Sequence, residues 1–552
     1  MTEQNFEGII PEATDWREMN NHVHQLYQQG RFAEAENLAR EALAVAEQSF
    51  EPEHPNLATS LNNLSAIYKA THRFEEAANL QEKALDIREK TLGTEHPQFA
   101  ESLNNLAVLY KNKNKYEAAE TLYQKALALK EKIYGQDHPE VAITLNNYAA
   151  LLKEKKDFQQ ALNHYQRALE IQEKHLGNEH PDLASTLNNL AGICTIQGDL
   201  KTAEASYERA ISVVEKKFGE NHPDMAILLD NLSSVYRKSG HLKEAIDAQK
   251  RALNIKIYTF EKNHPAISKA QISLANSLKE NKDYADALVL YEEALASLKN
   301  RGDADPAGLI QPLKNLADLY KIQKHYDAAE PLLKQVLEIR EKEYGNTHLS
   351  VATAVHQLAE IYRLQNQFEK AEPLFQRTVL ILENIFGEQH AEFINYISNL
   401  AGLYKNRNEY EKAEMLYTRI LNIMKNSLDE NHPNVAAALN NLAVIFEAEG
   451  KYAKAEEMLG LALEITEKNY GSNHLHVSSC LNNLAGLKKS QKKYTEAETL
   501  YKRSLSIREN ALGKDHPDVK SLLKVLERLQ RKSQKHGSGL SGKFKKIVSP
   551  KK

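Results

Sequence analysis

The chain has 552 residues, too many for one hydrophobic core, and 42% of them are hydrophobic. The formal net charge is −4, but the last 22 residues carry eight basic side chains and no acidic one, so the preceding 530 residues have a net charge of −12. Such a body would repel nucleic acid. No apolar run has membrane length, and the first residues lack the apolar core of a signal peptide, so we expect a soluble, cytoplasmic protein.

A segment of eight residues, Leu103–Tyr110, recurs at intervals of 42 residues from one end of the chain to the other. We call the first residue of each copy the anchor. Spacing this regular, with no insertion or deletion, predicts an array of repeats. The twelve anchors are Met19, Leu61, Leu103, Leu145, Leu187, Leu229, Gln271, Leu313, Val355, Ile397, Leu439 and Leu481.

Each repeat has the pattern of two helices. Leu103, Leu106 and Tyr110 have the spacing of one apolar helix face, and a second such face begins at Tyr116. The sixteenth residue after the anchor is Ala in all twelve repeats, as in Ala119, which indicates that the two helices cross closely. Because one pair cannot bury its own apolar face, neighbouring pairs must stack into an all-α solenoid of antiparallel helix pairs.

The pattern divides the chain into three parts. Residues 1–12 form an N-terminal segment, residues 13–530 hold the repeats and a C-terminal capping helix, and residues 531–552 form a basic tail that we expect to be disordered. The tail either is solvated or contacts an acidic membrane or nucleic acid, and its composition favours the first. Trp16 should pack at the N-terminal cap. Cys194 and Cys480 should be buried thiols without a disulfide.

The turn between repeats carries a histidine in eleven of the twelve repeats. Zinc needs three or four ligands at one point, whereas these residues occur once per repeat. Pro often follows the histidine as the first residue of a helix, so we predict that the ring caps that helix. A Gly three residues earlier, as in Gly93, predicts a left-handed cap of the preceding helix. The histidines are His54, His96, His138, His180, His222, His264, His348, His390, His432, His474 and His516.

The middle of the array is its least regular part. Residues 300–307 lack the histidine, and the repeat anchored at Gln271 departs most from the common pattern. Two interpretations are open, namely drift in a repeat that no ligand contacts, or a hinge or boundary between two halves. The apolar residues at Leu274 and Leu278 survive, which favours drift.

The segment from Leu103 to Ala126 resembles the tetratricopeptide repeat, because Leu, Ala and Tyr recur at that repeat's spacings. The period of 42 residues, the Leu-Asn-Asn-Leu-Ala sequence and the closing Leu-Gly-x-x-His-Pro resemble the version found in kinesin light chains and their bacterial relatives. This resemblance implies a right-handed superhelix whose first helices line a concave, peptide-binding groove. The heptad coiled coil of the motor subunits is absent before the first anchor, so we expect a bacterial relative and no motor subunit.

Two sets of residues on the first helix are candidates for ligand contact. The residues one and two places after the anchor are often Asn, and the residue eight places after it is usually basic. An Asn side chain either bonds the backbone of a neighbouring repeat and sets the stacking, or grips a peptide backbone, and the two roles are compatible. The longest run with both Asn residues is N-terminal. The predicted peptide-binding groove consists of Asn62, Asn63, Lys69, Asn104, Asn105, Lys111, Asn146, Asn147, Lys153, Asn188 and Asn189.

Catalytic motifs do not emerge from the sequence. It has no Gly-rich phosphate loop and no nucleophile beside a base, so we expect no enzyme activity, no cofactor and no metal site. A basic column in an acidic body predicts a scaffold or adaptor that binds extended peptides with acidic residues or a C-terminal carboxylate. Two alternatives stay open: a regulatory protein whose superhelix changes shape on binding a signalling peptide, and an accessory subunit of an enzyme. The sequence names neither the partner nor the oligomeric state.

Overall fold

The computed structural model describes residues 13–301, 305–387, 390–391, 394–427 and 430–545, with side chains from residue 16 to residue 532. Within these residues every regular element is a helix. The chain forms two compact units, residues 1–297 and 298–552. Each unit is a row of helix pairs, in which a first helix and a second helix make one repeat. The predicted all-α array of stacked helix pairs is confirmed.

The N-terminal unit holds the repeats with anchors from Met19 to Gln271. Each first helix begins at or shortly after the Pro of the turn, and each second helix begins at an aromatic residue or Leu. Its helices are α1 (Ala13–Gln28), α2 (Phe32–Ser49), α3 (Pro55–Ala70), α4 (Phe74–Leu92), α5 (Pro97–Asn112), α6 (Tyr116–Tyr134), α7 (Pro139–Glu154), α8 (Phe158–Leu176), α9 (Leu183–Gln197), α10 (Leu200–Phe218), α11 (Pro223–Lys238), α12 (Leu242–Thr259), α13 (Pro265–Glu280) and α14 (Tyr284–Lys299).

The C-terminal unit continues with the same pairing and ends in a single helix. A short 3-10 turn at Pro306–Leu309 precedes its first long helix. The helices are α15 (Ile310–Ile322), α16 (Tyr326–Tyr344), α17 (Leu349–Leu364), α18 (Phe368–Phe386), α19 (Ile394–Asn406), α20 (Tyr410–Ser427), α21 (Pro433–Ala448), α22 (Tyr452–Tyr470), α23 (Leu475–Ser490), α24 (Tyr494–Leu512) and α25 (Pro517–Lys545).

The alanine that recurs on every second helix has no exposed surface in any of the twelve repeats. Ala119 on α6, for example, has a relative exposure of 0%, and Ala35 and Ala497 at the two ends of the array have the same value. A methyl group is the only side chain at the point where the two helices of a repeat cross. The predicted close crossing therefore agrees with the burial.

The histidines of the turns cap the first helices, as predicted. In α7, the backbone N–H of Glu140 donates to Nδ1 of His138 over 3.2 Å. Ten of the eleven histidines make this bond at 3.1–3.3 Å. For the eleventh, His390, the residue whose N–H would make this bond, at position 392, lies outside the described part of the chain. Where the histidine is missing, Asp305 replaces it and accepts from the N–H of Ala307 over 3.0 Å.

Stacking supports these caps in a way that the sequence analysis missed. The His138 ring lies 4.5 Å from the ring of Tyr134, four residues earlier, with an interplanar angle of 14°. Phe218 and Phe260 stack on His222 and His264 in the same way, at 4.6 Å and 4.1 Å. Where an aromatic residue lies at the end of a second helix, it thus packs against the following histidine ring.

The glycines that end the second helices correct one prediction. Gly93, Gly135, Gly177 and Gly219 have φ between 80° and 86°, as a left-handed cap requires, but ψ lies between 162° and 171°. This is the mirror image of extended backbone, which glycine almost alone adopts. The predicted left-handed helical cap is wrong at these four positions because the chain must leave the helix in an extended path toward the histidine.

Ion pairs between successive second helices connect the repeats on the side away from the first helices. In the N-terminal unit, Arg167 pairs with Glu131 at 2.7 Å, Arg209 with Glu173, and Arg251 with Glu215 at 3.1 Å. The same pair recurs in the C-terminal unit, for example between Arg377 and Glu341 at 2.7 Å. Each pair is partly exposed, so each contributes only about 0–1 kcal/mol to stacking.

The N-terminal end of the array is closed as predicted. The Trp16 side chain is 7% exposed, its Nε1–H donates to Ser60 Oγ over 2.8 Å, and its ring meets Phe50 edge-on at 5.5 Å. The two cysteines are buried free thiols. Within the described residues, no helix combines the length and apolarity needed to cross a bilayer.

The last helix, α25, packs as a first helix without a partner. Leu522, Leu526 and Leu529 are buried against α24, whereas Leu523, at the anchor position, is 38% exposed. Gln530 takes the place of the usual Tyr and donates to Glu498 over 2.9 Å. The helix extends through residue 545 and so includes part of the segment expected to be disordered. Side chains beyond 532 and all of residues 546–552 lie outside the described residues, so disorder of the tail stays a prediction.

The irregular repeat in the middle also has a structural correlate. The division between the two compact units falls between residues 297 and 298, inside the repeat anchored at Gln271. The two interpretations of this repeat, drift and a hinge or boundary, both stay predictions. Residues 302–304 of the following turn lie outside the described residues.

Candidate functional site

The first helices form the inner face of the N-terminal unit. Adjacent first helices contact one another directly, α1 with α3, α5 with α7, α7 with α9, and α9 with α11. Adjacent second helices have no contact of similar extent in the described part of this unit. The first helices therefore form one face of this unit, and the Asn105–Asn62 hydrogen bond joins α3 and α5 on it. This is the side on which the sequence analysis placed the groove.

The asparagines of the first helices bond to one another from repeat to repeat. We call this series of bonds the asparagine ladder. Nδ2 of the second Asn in one repeat donates to Oδ1 of the first Asn in the preceding repeat. The N-terminal unit has four rungs: Asn63 to Asn20 at 2.8 Å, Asn105 to Asn62 at 3.2 Å, Asn147 to Asn104 at 3.3 Å, and Asn231 to Asn188 at 2.9 Å.

The ladder links neighbouring repeats, but through a different partner than expected. The bond goes to the neighbouring side chain instead of the neighbouring backbone, because the side chains of equivalent helix positions meet on the inner face. Asn104 is 5% exposed, and the other predicted asparagines are half-buried. Whether they also contact a ligand stays a prediction.

One rung is missing between α7 and α9. Nδ2 of Asn146 donates instead to Oγ1 of Thr186, over 2.8 Å, and Oδ1 of Asn146 is buried without a hydrogen-bond partner. Asn189, which would complete the rung, is half-buried. The predicted set of site residues thus lies on one face, but its members do not all share the same contacts.

The three predicted lysines, which we call the lysine column, are Lys69, Lys111 and Lys153. All three are half-buried on α3, α5 and α7. In the described residues, none of them has a carboxylate oxygen within 4.0 Å. Among the equivalent basic residues further along, Arg237 pairs with Glu280 at 2.7 Å and Arg363 with Glu360 at 2.8 Å. Four others have no ion pair in the described residues, namely Lys279, Lys321, Lys405 and Lys489. The lysine column is therefore a row of half-buried cations without a carboxylate at ion-pair distance.

Burial and mutual repulsion act on the charge of this column. Burial lowers the pKa of Lys69. Burial also lowers the pKa of Lys111, and the nearby charges of Lys153 and Lys69 lower it further, while Glu154 opposes the shift. Both effects disfavour the charged form, so an anion placed beside the column would relieve them.

Polar residues of the second helices lie beneath the inner face. Five successive repeats place Gln81, Tyr123, Tyr165, Tyr207 and Gln249 at the same position, and each side chain is at most 4% exposed. A Cβ atom on Gly192 of α9 would lie 3.7 Å from the Tyr207 hydroxyl, which shows that this position reaches the first helix. The Tyr123 hydroxyl is buried without a hydrogen-bond partner, and burial raises its pKa.

The sequence analysis did not identify this layer as a separate polar feature. Its signal was present, because either Gln or Tyr occupies one position of an otherwise apolar stripe in five successive repeats. In the described part of the chain, no three His, Cys, Asp or Glu side chains converge on one point that could hold a metal.

The geometry defines a class of protein, a helical-repeat scaffold with a polar inner face. Family models described as tetratricopeptide repeat match residues 18–90, 74–132, 98–174, 182–257, 308–390, 392–468, 445–510 and 476–538, and another matches residues 269–300. These matches cover most of the chain. The chain belongs to the tetratricopeptide repeat family, and it is a protein–protein interaction scaffold.

Solved structures with similar folds include kinesin light chain-like repeats. One, described as "Podosopora anserina putative kinesin light chain nearly identical TPR-like repeats", is 24% identical, covers 38% of this chain and 98% of its own, and has a TM-score of 0.35. BtubC (BKLC) from P. vanneervenii is 25% identical over 42% of this chain and 92% of its own, with a TM-score of 0.36. The apo form of RapI is 16% identical, covers 52% of this chain and 98% of its own, and has a TM-score of 0.38. A search of curated proteins found no match.

Proposed function

We propose that the inner face of α3, α5 and α7 binds an extended, acidic peptide segment of a partner protein. The observation that carries this proposal is the lysine column, whose half-buried cations have no carboxylate partner in the described residues. Holding a charge in a partly desolvated place costs free energy, and an opposite charge from a ligand recovers it. Aspartate, glutamate or the carboxylate at a chain end would supply that charge.

The asparagine ladder supports the same proposal, because its amides can bind a peptide backbone and still keep the hydrogen bonds of the rungs. A rung uses one N–H of one amide and the Oδ1 of another, whereas each Asn side chain offers two N–H groups and two lone pairs. Oδ1 of Asn63, Asn105 and Asn147 therefore stays available to accept from the N–H groups of an extended peptide. Stacking of the repeats and binding of a peptide backbone are then compatible roles for the same residues.

Several repeats must act together to give a useful affinity. One exposed ion pair contributes only about 0–1 kcal/mol, whereas a half-buried pair that also holds hydrogen bonds contributes more. An extended segment that crosses α3, α5 and α7 meets all three lysines and three rungs. The expected ligand is thus a segment of at least several residues, with its carboxylates distributed along it.

A second candidate function follows from the rungs themselves. Each rung joins one repeat to the next, so a ligand that competes for these amides would change the spacing of the first helices. This favours the alternative of a regulatory protein whose repeats rearrange on binding a signalling peptide. No observation on the described residues favours an accessory role in an enzyme, and we propose no catalytic activity.

The binding proposal is tested with an array of immobilised peptides of twelve residues, composed so that acidic, basic and neutral sequences are equally represented. We expect the full-length protein to select sequences rich in Asp and Glu. Two variants are compared with the wild-type protein. In the first variant the three lysines of the lysine column are changed to Glu. In the second, which is the control, Glu replaces Lys83, Lys125 and Lys201, which are exposed on second helices. The first variant should lose the preference and the second should keep it. Equal selection by all three proteins would refute the proposal.

A further inference from the structure

The residues and hydrogen bonds of the inner face of the N-terminal unit depart from the repeat pattern at α9. The lysine column ends there, because Thr195 occupies the position eight places after the anchor. The helix itself begins at Leu183, two residues after Pro181, whereas α5, α7 and α11 begin at the corresponding Pro. The missing rung of the asparagine ladder falls at the same step. Three independent departures from the repeat pattern thus coincide at one helix.

An open cavity of about 210 Å³ lies between α9, α10 and α11 at this step. Its floor is apolar and buried, since Val214 is 2% and Leu228 is 4% exposed. Ile227, which is 56% exposed, forms an apolar rim on α11. Ser185 and Asn188 of α9 form the opposite wall.

A carboxylate without a Lys or Arg partner lies at the edge of the cavity. Asp224 lines the cavity, and its side chain is 66% exposed. Nδ1 of His222 lies 3.7 Å from Asp224 Oδ2 and accepts from the Asp224 backbone N–H. In the described residues, no Lys or Arg side chain lies within 4.0 Å of this carboxylate. The site combines an apolar floor with a negative rim.

We infer that this cavity binds the side chain of a Lys or Arg residue, with the methylene stem on Val214, Leu228 and Ile227 and the cation at Asp224. Long basic side chains carry both an apolar stem and a charged head, so they match this arrangement better than a wholly apolar side chain does. The inference that this residue belongs to the same peptide as the acidic segment rests on the proposed function. The groove would then select a ligand with acidic residues at one end and a basic residue at the other.

The structure also predicts the spacing in the ligand between the acidic residue that meets Lys153 and the basic residue that meets Asp224. Lys153 lies eight places after its anchor and Asp224 five places before its own, so thirteen positions separate their levels along the parallel helices α7 and α11. Thirteen helical residues extend about 20 Å, and two spacings between neighbouring first helices add about 20 Å across. The path between Lys153 and Asp224 is therefore roughly 28 Å, which about eight extended residues cover.

The cavity is tested directly with hexylammonium, which has an apolar stem and one cation, against hexanol as its neutral match. Saturation-transfer NMR at millimolar ligand should detect hexylammonium on the full-length protein. Asp224→Asn should reduce that signal several-fold. Asp518→Asn is the control, because Asp518 occupies the same position after His516 on α25 and has the same backbone bond, at 3.2 Å. Absence of binding, equal binding of hexanol, or no effect of Asp224→Asn would overturn the inference.

The link to the peptide groove is tested with two peptides that share an acidic segment. One carries Lys about eight residues from the nearest acidic residue, and the other carries norleucine there. We expect the Lys peptide to bind about two- to fivefold more tightly, as an exposed ion pair provides. Asp224→Asn should remove this gain and leave the binding of the norleucine peptide unchanged. Equal affinities in the wild-type protein would refute the link. Failure of both peptides to bind would refute the proposed function, while the hexylammonium result would still decide the cavity.

Discussion

Replacing Ala119 with Leu should destabilise one repeat without unfolding the array. Ala119 has no exposed surface at the crossing of α5 and α6, so three additional carbon atoms have no space and must push the helices apart. Overpacking of this kind costs about 1–3 kcal/mol. Because repeats contact mainly their neighbours, the damage should stay within α4–α7.

The matched control is Ala118→Leu. Ala118 is the preceding residue on the same helix and is exposed, so the same chemical change meets no neighbour. Amide hydrogen exchange, read by mass spectrometry, should show a loss of protection in α5 and α6 for Ala119→Leu and none for Ala118→Leu. Global melting is a weaker readout, since long repeat arrays need not unfold in one step. Equal protection in the two variants would show that the alanine position is not a close crossing.

Three further predictions address the ladder, the caps and one buried imidazole. Asn105→Ala removes a rung and should lower the exchange protection of α3 and α5, whereas the exposed Asn112→Ala should not. His138→Ala should cost about 0.5–2 kcal/mol locally, as lost caps do, and chelators should leave the wild-type melt unchanged; a chelator-sensitive melt would contradict the capping account. Burial lowers the pKa of His356 below 6.5, so the folded state binds its proton less tightly than the unfolded chain and stability falls with pH from about 6.5 downward. His356→Asn should remove that loss in urea denaturation curves recorded at several pH values, and an unchanged curve would contradict it.

The fold was predictable because the same local sequence pattern occurs in twelve repeats, so a pattern that is weak in one repeat becomes strong in all of them. Ala119 alone predicts little, but an Ala at the same position of every repeat can only mark a place without room for a larger side chain. The caps followed from similar logic, since Pro139 fixes the start of α7 and leaves His138 in extended geometry with its ring beside free N–H groups.

The contacts of the inner face were less predictable. The sequence indicated that Asn105 faces away from the core, but its partner Asn62 is 43 residues away, and only the stacking distance brings the two amides together. The backbone at Gly93 depends on the path of the following turn, which composition does not specify. The cavity beside Asp224 is formed by side chains of three helices, which the sequence pattern of one repeat does not bring together. The start of α9 was also not predictable, because Pro181 predicted an earlier start than the helix has.

Charge reversal of the lysine column tests the central claim, which is that this column binds an acidic peptide. The wild-type protein, the variant with Lys69, Lys111 and Lys153 changed to Glu, and the control variant with Lys83, Lys125 and Lys201 changed to Glu would be titrated with one acidic peptide from the array, at low and high salt. We expect binding by the wild-type and control proteins, weakened at high salt because the exposed parts of the ion pairs are screened, and no detectable binding by the first variant. Unaltered binding by that variant, together with loss of binding when Asn441 and Asn483 are replaced, would contradict the assignment and place the peptide site in the C-terminal unit.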